Sequence, residues 1–448
     1  MNCFLTLDEL KQYQPKRDTY FVFGDPIGHS LSPKLHDSYF SLSHLDGDYL
    51  AVRVGVPQLQ EAIDCVKGYA KGVNLTIPLK EAVIPILDEI DEKAEEIGAV
   101  NTLSFQNGRV KGYNTDFFGI ELSLKEMGVD LRNARTLILG NGGAAKAFLA
   151  VCTHYTEHIT VAGRNREKLT TFCKNTPAKP TLLSEVRGEF DVVFNATSMG
   201  MGVQIGASPL KFPQLQHCGF LFDAVYNPQK TNFLTLGNLW ENMGINGLWM
   251  LIYQGLKAQE LWGNPVEASY AKAIYKQLSM SFTESKKNLV LIGYMGSGKT
   301  TVGKELSRQT GMPFYDMDQM LEELMGESIS TVIETTGEAY FREQEAKLAT
   351  KIADLHGCVI STGGGIVERE ENLRFLKQNG QVFFLNPPLS EIEARLSGDT
   401  TRPLLKNPEV FRTRFEKRLG RYQTAADHII TATDAKESAG EILEIFCQ

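Results

Sequence analysis

The sequence predicts an α/β protein built on mostly parallel sheets, and three observations predict it. Strand-like and helix-like patches alternate along all 448 residues, the pattern of successive βαβ units. The apolar run Asn288-Leu289-Val290-Leu291-Ile292 leads into Gly293-Tyr294-Met295-Gly296-Ser297-Gly298-Lys299-Thr300, a complete phosphate-binding loop, and Thr301 to Arg308 then reads as a helix. A second apolar run, Thr136-Leu137-Ile138-Leu139, opens into Gly140-Asn141-Gly142-Gly143-Ala144-Ala145, which fits G-x-G-x-x-A between a strand and a helix. Two different nucleotide fingerprints in a chain too long for one ordinary core predict two or three domains.

The elements follow in order. Tyr20 to Gly24 is a short strand entering a Gly/Pro/Ser loop, and Gly72 to Ile77 is another, ended by Pro78. Phe117, Ile120, Leu124 and Met127 share one face of a helix that stops at Gly128. The βαβ unit at Thr136 is followed by the strand His158 to Gly163. A helix beginning near residue 266 runs toward Leu278, and the polar stretch 281–287 reads as a linker. Composition bounds the rest: 42% hydrophobic and 22% charged residues are those of a soluble globular protein. A net charge of −8 argues against nucleic acid or an anionic membrane as main partner. No apolar run reaches spanning length, the N-terminus lacks a signal-peptide core, and seven scattered cysteines suggest reduced thiols. A cytoplasmic enzyme of small molecules is expected. Oligomeric state stays open, a homodimer among the options.

In the first half, Gly140 permits a tight turn, Gly142 lets the backbone approach a diphosphate, and Ala145 keeps the helix near the sheet. At the end of the next strand an NAD-binding protein keeps an acid for the ribose hydroxyls. This chain has Gly163-Arg164-Asn165-Arg166, with Lys168 following. A guanidinium pairs with a 2′-phosphate that a carboxylate would repel, so NADP(H) is expected over NAD(H). Upstream, Lys80 stands just past a strand end and Asp116 at a helix start. A ketone reduced by hydride needs a proton donor beside the nascent alkoxide, and a lysine with a carboxylate partner can serve, but spacing alone favours a surface lysine and an N-capping aspartate.

These segments resemble shikimate dehydrogenase from about Tyr20 to Leu278. The resemblance runs through Phe23-Gly24-Asp25-Pro26-Ile27-Gly28-His29-Ser30-Leu31-Ser32-Pro33, Asn74 to Lys80, Gly98 to Thr102 and Asn114-Thr115-Asp116. It continues in Asn195 to Gly200, Asp223-Ala224-Val225-Tyr226 and Asn246 to Gln254. It implies that Ser30 and Ser32 hold a substrate carboxylate, and that Thr76, Asn101, Asp116 and Gln254 bind ring hydroxyls. Lys80 would move the proton with Asp116 beside it. Gly140, Asn141, Gly142, Gly143, Ala144, Arg164, Lys168 and Gly247 would hold NADP(H). Two positions depart from the family: Gly163 replaces an asparagine, and Phe117 replaces a glycine, which suggests an altered pocket wall beside Asp116.

The second half raises the question of the phosphoryl acceptor. Lys299 supplies a compact charge for the terminal phosphates of a nucleotide, and Thr300 is placed for Mg²⁺. Asp316 and Asp318 stand at a strand end, where alternating side chains of an extended chain would serve different partners. Arginines in Phe341-Arg342-Glu343-Gln344-Glu345 and Thr400-Thr401-Arg402-Pro403-Leu404-Leu405 could neutralise an anionic acceptor and the transferring group. With Gly363-Gly364-Gly365 and the Arg418 to Tyr422 spacing, these motifs resemble shikimate kinase from Asn288 to near the C-terminus.

That second resemblance implies ATP held by Gly296, Ser297, Gly298, Lys299, Thr300, Thr301, Arg395 and Arg402. Mg²⁺ would lie at Thr300 and Asp316. Asp318 would meet the reacting hydroxyl, Arg342 and Arg418 would clamp a carboxylate beside Gly364 and Gly365, and Arg402 would arrive with a lid over about 389–405. Arg421 is a rival to Arg418. Together the resemblances imply a substrate-binding domain at 1–118, completed by helices at 245–280, and a Rossmann-type domain at 119–244. The linker at 281–287 and a P-loop kinase domain at 288–448 follow. They imply 3-dehydroshikimate reduced to shikimate, then shikimate phosphorylated, in aromatic amino acid biosynthesis. A quinate-type dehydrogenase fused to the kinase, or a shikimate-binding regulator without turnover, stays open as an alternative. The retained Lys80, Asp116, Lys299, Asp316 and Asp318 count against the regulator.

Overall fold

The computed structural model describes residues 4–28, 30–280, 282, 287–397 and 408–447. Its architecture is α/β, and among the described residues the strands form three sheets. The first sheet runs Phe4–Leu5, Gly47–Arg53, Asp18–Gly24, Gly72–Leu75, Thr102–Gln106, Arg109–Tyr113, Glu89–Ile90. It is mixed rather than parallel, because Thr102–Gln106 runs antiparallel to both of its neighbours. The cause was readable: Asn107 and Gly108, with φ of 52° and 77°, join two strands by the two-residue turn that Asn-Gly favours.

The second sheet is wholly parallel, in the order Lys179–Leu182, Ile159–Gly163, Thr136–Leu139, Phe190–Asn195, Cys218–Asp223, Gly244–Ile245. Counted along the chain this is 3-2-1-4-5-6, the doubly wound arrangement whose switch point lies beside the first strand. Its core is aromatic: Phe148 packs on Phe194 and Phe222 with centroids 4.6 and 5.1 Å apart. The third sheet is also parallel, ordered Phe314–Asp316, Val359–Ser361, Asn288–Ile292, Gly380–Leu385, His428–Ile430. The phosphate-loop strand is therefore central and buried along its length.

The chain folds into two compact units. One takes in Met1–Thr197, His217–Gln229 and Gly244–Phe282, and the other Ser198–Gln216, Lys230–Met243 and Thr283–Gln448. The expected spans 119–244 and 288–448 differ from this division, since 198–216 and 230–243 pack with the second unit. Asn232, buried on the helix Asn232–Leu239, shows why. Its amide donates to the carbonyls of Gly206 (2.8 Å) and His356 (3.0 Å), and its Oδ1 accepts from the His356 N–H (2.8 Å). Lys230 adds an ion pair to Asp354 at 2.7 Å. Such long-range pairing leaves no periodic mark in a sequence. Most of the expected linker, all but 282 and 287, lies outside the described residues. Among those residues no helix is long and apolar enough to cross a membrane.

Candidate active sites

In the first unit four separate stretches meet around one carboxylate. The short helix Leu79–Ala82, just after the strand Gly72–Leu75, puts Lys80 Nζ 2.5 Å from Asp116 Oδ2. Asp116 opens the helix Asp116–Glu126 and is only 4% exposed. Its other oxygen accepts from Asn101 Nδ2 at 2.9 Å, and that amide also reaches Gln254 Oε1 at 3.4 Å. Asn101 Oδ1 in turn accepts from the Thr115 N–H at 2.7 Å, which fixes the amide's orientation. A buried ion pair persists when its remaining lone pairs are satisfied, and here Asn101 does so.

The other expected substrate residues frame this cluster. Ser32 opens the helix Ser32–Ser43, and its N–H donates to Ser30 Oγ at 3.3 Å. The Ser32 hydroxyl also hydrogen-bonds Tyr49, whose own hydroxyl donates to Asn74 Oδ1 at 2.7 Å. Asn74 Nδ2 then donates to the Asn101 carbonyl (3.2 Å) and to Thr102 Oγ1 (2.9 Å). The Thr76 carbonyl accepts from the Leu79 N–H at 2.8 Å, anchoring the start of the Lys80 helix. Phe117 is buried in the core, edge-on to His154 at 5.4 Å. His29 lies outside the described residues.

The nucleotide side of this unit fits a dinucleotide. Gly140, with φ +110°, turns the chain from the strand Thr136–Leu139 toward the helix Gly143–Thr153. A Cβ at Gly142 would meet no atom within 4 Å, and no side chain caps the helix there. Open space at an uncapped helix N-terminus, with Asn141, Gly143 and Ala144 around it, suits a diphosphate. Asn165 caps the helix Arg166–Phe172 by accepting from the Lys168 N–H at 3.0 Å, which leaves Arg164 at the strand's exit. Arg166 is committed to Glu185 at 2.6 Å, whereas exposed Arg164 has no ion-pair partner among the described residues. Asn141 and Lys168 line one cavity of about 930 Å³ with Lys146 and Glu81. Gly247 precedes the helix Leu248–Leu261 that carries Gln254.

The second unit gathers its site around the phosphate loop. Lys299 opens the helix Lys299–Thr310, and its ammonium donates to the carbonyls of Gly293 (2.8 Å) and Tyr294 (3.1 Å). Thr300 Oγ1 donates to Asp316 Oδ2 at 2.8 Å. These two oxygens suit Mg²⁺, which takes few protein ligands and completes its shell with phosphate and water. Asp316 ends the strand Phe314–Asp316 and caps the helix Met317–Met325, accepting from the Asp318 N–H at 3.1 Å. The expected alternation along an extended chain is thus corrected: Asp318 sits in the first helical turn, because the capping aspartate ends the strand.

The glycine triplet is a contact surface for charged groups. A Cβ at Gly363 would lie 2.6 Å from Asp318 Oδ1, and one at Gly365 only 2.1 Å from Arg342 Nη1. Arg418, 6% exposed, donates to the Gly364 carbonyl at 3.1 Å, and Tyr422 donates to the same oxygen at 2.5 Å. Its rival Arg421 is half exposed and held by Glu368 at 2.8 Å. Arg395 reaches the phosphate-loop carbonyls of Gly296 (3.4 Å) and Ser297 (3.3 Å). Ser297 is buried and Thr301 exposed. Arg402 lies outside the described residues, as does most of the expected lid beyond the helix Leu389–Leu396.

Known proteins show matching patterns. Residues 22–103 match the family described as shikimate dehydrogenase substrate binding domain. The NADP(+) shikimate dehydrogenase of Caldanaerobacter subterraneus is 37% identical over 251 residues, 54% of this chain and 90% of that protein. The chain belongs to the shikimate dehydrogenase family. A crystal structure of the Thermus thermophilus enzyme, in complex with NADP(H) and shikimate, is 32% identical with a TM-score of 0.55. It aligns over 58% of this chain and 99% of that one. A chorismate mutase/shikimate 5-dehydrogenase fusion from Clostridium acetobutylicum is similar at 32% identity, TM-score 0.56, over 60% of this chain and 99% of that one. Residues 295–446 match the family described as shikimate kinase. The protein therefore joins a dehydrogenase to a kinase in one chain.

In the kinase part the sequence reading missed the carboxylates that hold its arginines. Glu345, 1% exposed, bonds Arg342 Nη1 through Oε2 at 2.9 Å, while its Oε1 has no hydrogen-bond partner among the described residues. Burial pushes the Glu345 carboxyl above the ordinary glutamate range, against the pull of Arg342. Glu368 binds Arg418 at 2.6 Å. Burial raises Glu368 too, but the guanidiniums of Arg418 and Arg421 outweigh it and hold the carboxyl below its usual value. A signal for Glu345 existed. It occupies the stripe Phe341, Glu345, Leu348, Ala349, Ile352, the buried face of the helix Glu338–Ile352.

Proposed function

We propose that the chain performs two consecutive reactions, reduction of 3-dehydroshikimate to shikimate and phosphorylation of the shikimate 3-hydroxyl. The observation that carries the first is the buried Lys80–Asp116 pair with Asn101 and Gln254 beside it, next to a dinucleotide-shaped turn. When bound, NADPH supplies a hydride and MgATP a phosphoryl group. Lys80 delivers the proton that the reduced carbonyl oxygen needs, and takes it back in the reverse direction. Asp116 holds the Lys80 ammonium in place, while Asn101, Gln254 and Thr76 orient the ring hydroxyls and Ser30 and Ser32 the carboxylate. Arg164 selects the 2′-phosphate.

In the kinase part Asp318 orients the acceptor hydroxyl, and Arg342 and Arg418 clamp the acid group against Gly364 and Gly365. Lys299 neutralises the terminal phosphates, and Thr300 with Asp316 holds Mg²⁺. The retained charged residues at both sites favour turnover over mere binding. The test gives purified chain 3-dehydroshikimate, NADPH and MgATP and follows product masses. Shikimate should appear first and its 3-phosphate after it. A strong preference for quinate with NAD, or no phosphorylated product, would overturn the reading.

A further inference from the structure

Lys146 has no part in the roles above, yet its side chain bridges the nucleotide helix and the catalytic backbone. It lies in the first turns of the helix Gly143–Thr153, whose N-terminus fits the diphosphate. Its stem leaves that helix and its ammonium ends on the Gly98 carbonyl at 3.2 Å and the Glu81 carboxylate at 3.0 Å. Both partners adjoin the reaction machinery. Glu81 follows Lys80, and Gly98 starts the Gly98-Ala99-Val100-Asn101 segment. The Val100 N–H donates to the Lys80 carbonyl at 2.8 Å, so the two partners belong to one hydrogen-bonded piece of backbone. The fit is close at the near end too: a Cβ at Gly143 would lie 3.5 Å from Lys80 Cδ.

A second contact links the helix Glu92–Ile97 to the same nucleotide helix. Lys93 Nζ lies 2.8 Å from His154 Nε2, beside the far end of that helix, and 2.8 Å from Glu96. That contact joins helix to helix, whereas the Lys146 ammonium reaches the segments bearing Lys80 and Asn101. An exposed Lys–Glu pair contributes little stability. Glu81 is 56% exposed and Lys146 27%, so the bond to the Gly98 carbonyl points to geometry rather than stability as its use.

We propose that Lys146 is a positioning residue for the reduction, a strut that sets the distance between the dinucleotide-binding helix and the Lys80–Asp116–Asn101 cluster. It rests on the forward site being a dehydrogenase. Misplacing reacting groups by about 1 Å can cost on the order of 100-fold in rate. The test uses the full chain with Lys146→Met and Lys146→Arg. Three measurements are made: reduction of 3-dehydroshikimate with NADPH and its 4-deuterated form, phosphorylation of shikimate, and amide exchange without ligands.

For Lys146→Met, kcat for reduction should fall about 10- to 100-fold, and the deuterium isotope effect should grow as hydride transfer becomes limiting. Exchange at Val100 and Asn101 should quicken, with phosphorylation and melting unchanged, and Lys146→Arg should restore most of the rate. Unchanged kcat, isotope effect and exchange would overturn the strut. So would a rate loss matched by lost phosphorylation, or a rise in the NADPH KM alone. A wild-type chain that reduces nothing would instead sink the dehydrogenase reading.

Discussion

The two sites handle a small organic acid with opposite electrostatics. Among the described residues Asp116 makes one ion pair, and the groups bonded around it are neutral amides and a hydroxyl: Asn101, and beyond it Gln254 and Thr115. Around the Gly363–Gly365 triplet, charge answers charge: Arg342 with Glu338 and Glu345, Arg418 and Arg421 with Glu368. The difference matches the chemistry. A hydride reaction creates one alkoxide and needs one well-placed proton, whereas phosphoryl transfer gathers several negative charges that need guanidiniums. Arginines poised for such charge must be neutralised by the protein until a ligand replaces their partners.

The largest effect should separate the two sites completely. Lys80→Ala should lower reduction by about 10²- to 10⁴-fold, the usual worth of a positioned acid or base, with shikimate phosphorylation untouched. Lys299→Ala should abolish phosphorylation and spare reduction. Both rates measured on one preparation check this, and loss of both activities from either change would break the assignment. Arg164→Ala comes next. Losing a charged hydrogen bond worth about 1.5–3 kcal/mol should cut kcat/KM for NADPH by at least about tenfold while leaving NADH unaffected. Equal losses with both cofactors would return Arg164 to the solvated surface.

What the sequence made legible was what backbone geometry demands. The loop at 293–300 and the turn at Gly140 each require particular residues at fixed spacing, so their positions and neighbours could be read directly. Lys80 and Asp116 were legible only through resemblance, since 36 residues separate partners whose atoms lie 2.5 Å apart. Glu345 and Glu368 escaped because acidic residues on helices are usually solvated, and only burial turns them into counterions. The placement of 198–216 and 230–243 escaped because Asn232 finds His356 only through folding across 124 residues.

A buried histidine makes the dehydrogenase unit acid-sensitive. His36 stacks on Tyr49 at 3.9 Å, and Gln259 Nε2 lies 2.7 Å from its Nδ1. Asn264 Nδ2 in turn donates to Gln259 Oε1 at 2.6 Å, which ties the Gln259 amide in place beside the ring. Burial lowers the His36 pKa from 6.5 to about 3. The unfolded chain therefore takes up a proton near pH 6.5 that the fold refuses, and stability present above that pH is lost as pH falls toward 3. Between pH 6.5 and about 5 the loss should be about 2 kcal/mol, at about 1.36 kcal/mol per unit. The His36→Asn variant keeps an acceptor for Gln259 and cannot titrate. Its urea midpoint, followed by loss of reduction, should be lower at pH 7 but flatter below it; an equally steep decline would clear His36.

Glu345 offers the mildest test and the one closest to the contrast between the sites. Its carboxyl is raised by burial, and the other charges facing it are Asp318 and Arg418; if Arg342 clamps the acceptor as proposed, Glu345 would compete with that anion for it. As pH falls from neutral, Glu345 should protonate before an ordinary glutamate does. Arg342 is then released while the acceptor's own carboxylate stays ionised. Shikimate should bind the wild-type chain a few-fold more tightly at mildly acidic pH. In Glu345→Gln that release is permanent, so binding should be tighter at pH 7 and nearly independent of pH, with the ligand-free protein about 1–3 kcal/mol less stable for the unpaired guanidinium. Calorimetric titration across pH reads both. If the variant binds more weakly and keeps the wild-type pH slope, Glu345 is a support for Arg342 rather than its competitor, and the arginines of this site are positioned by their counterions instead of being held in reserve by them.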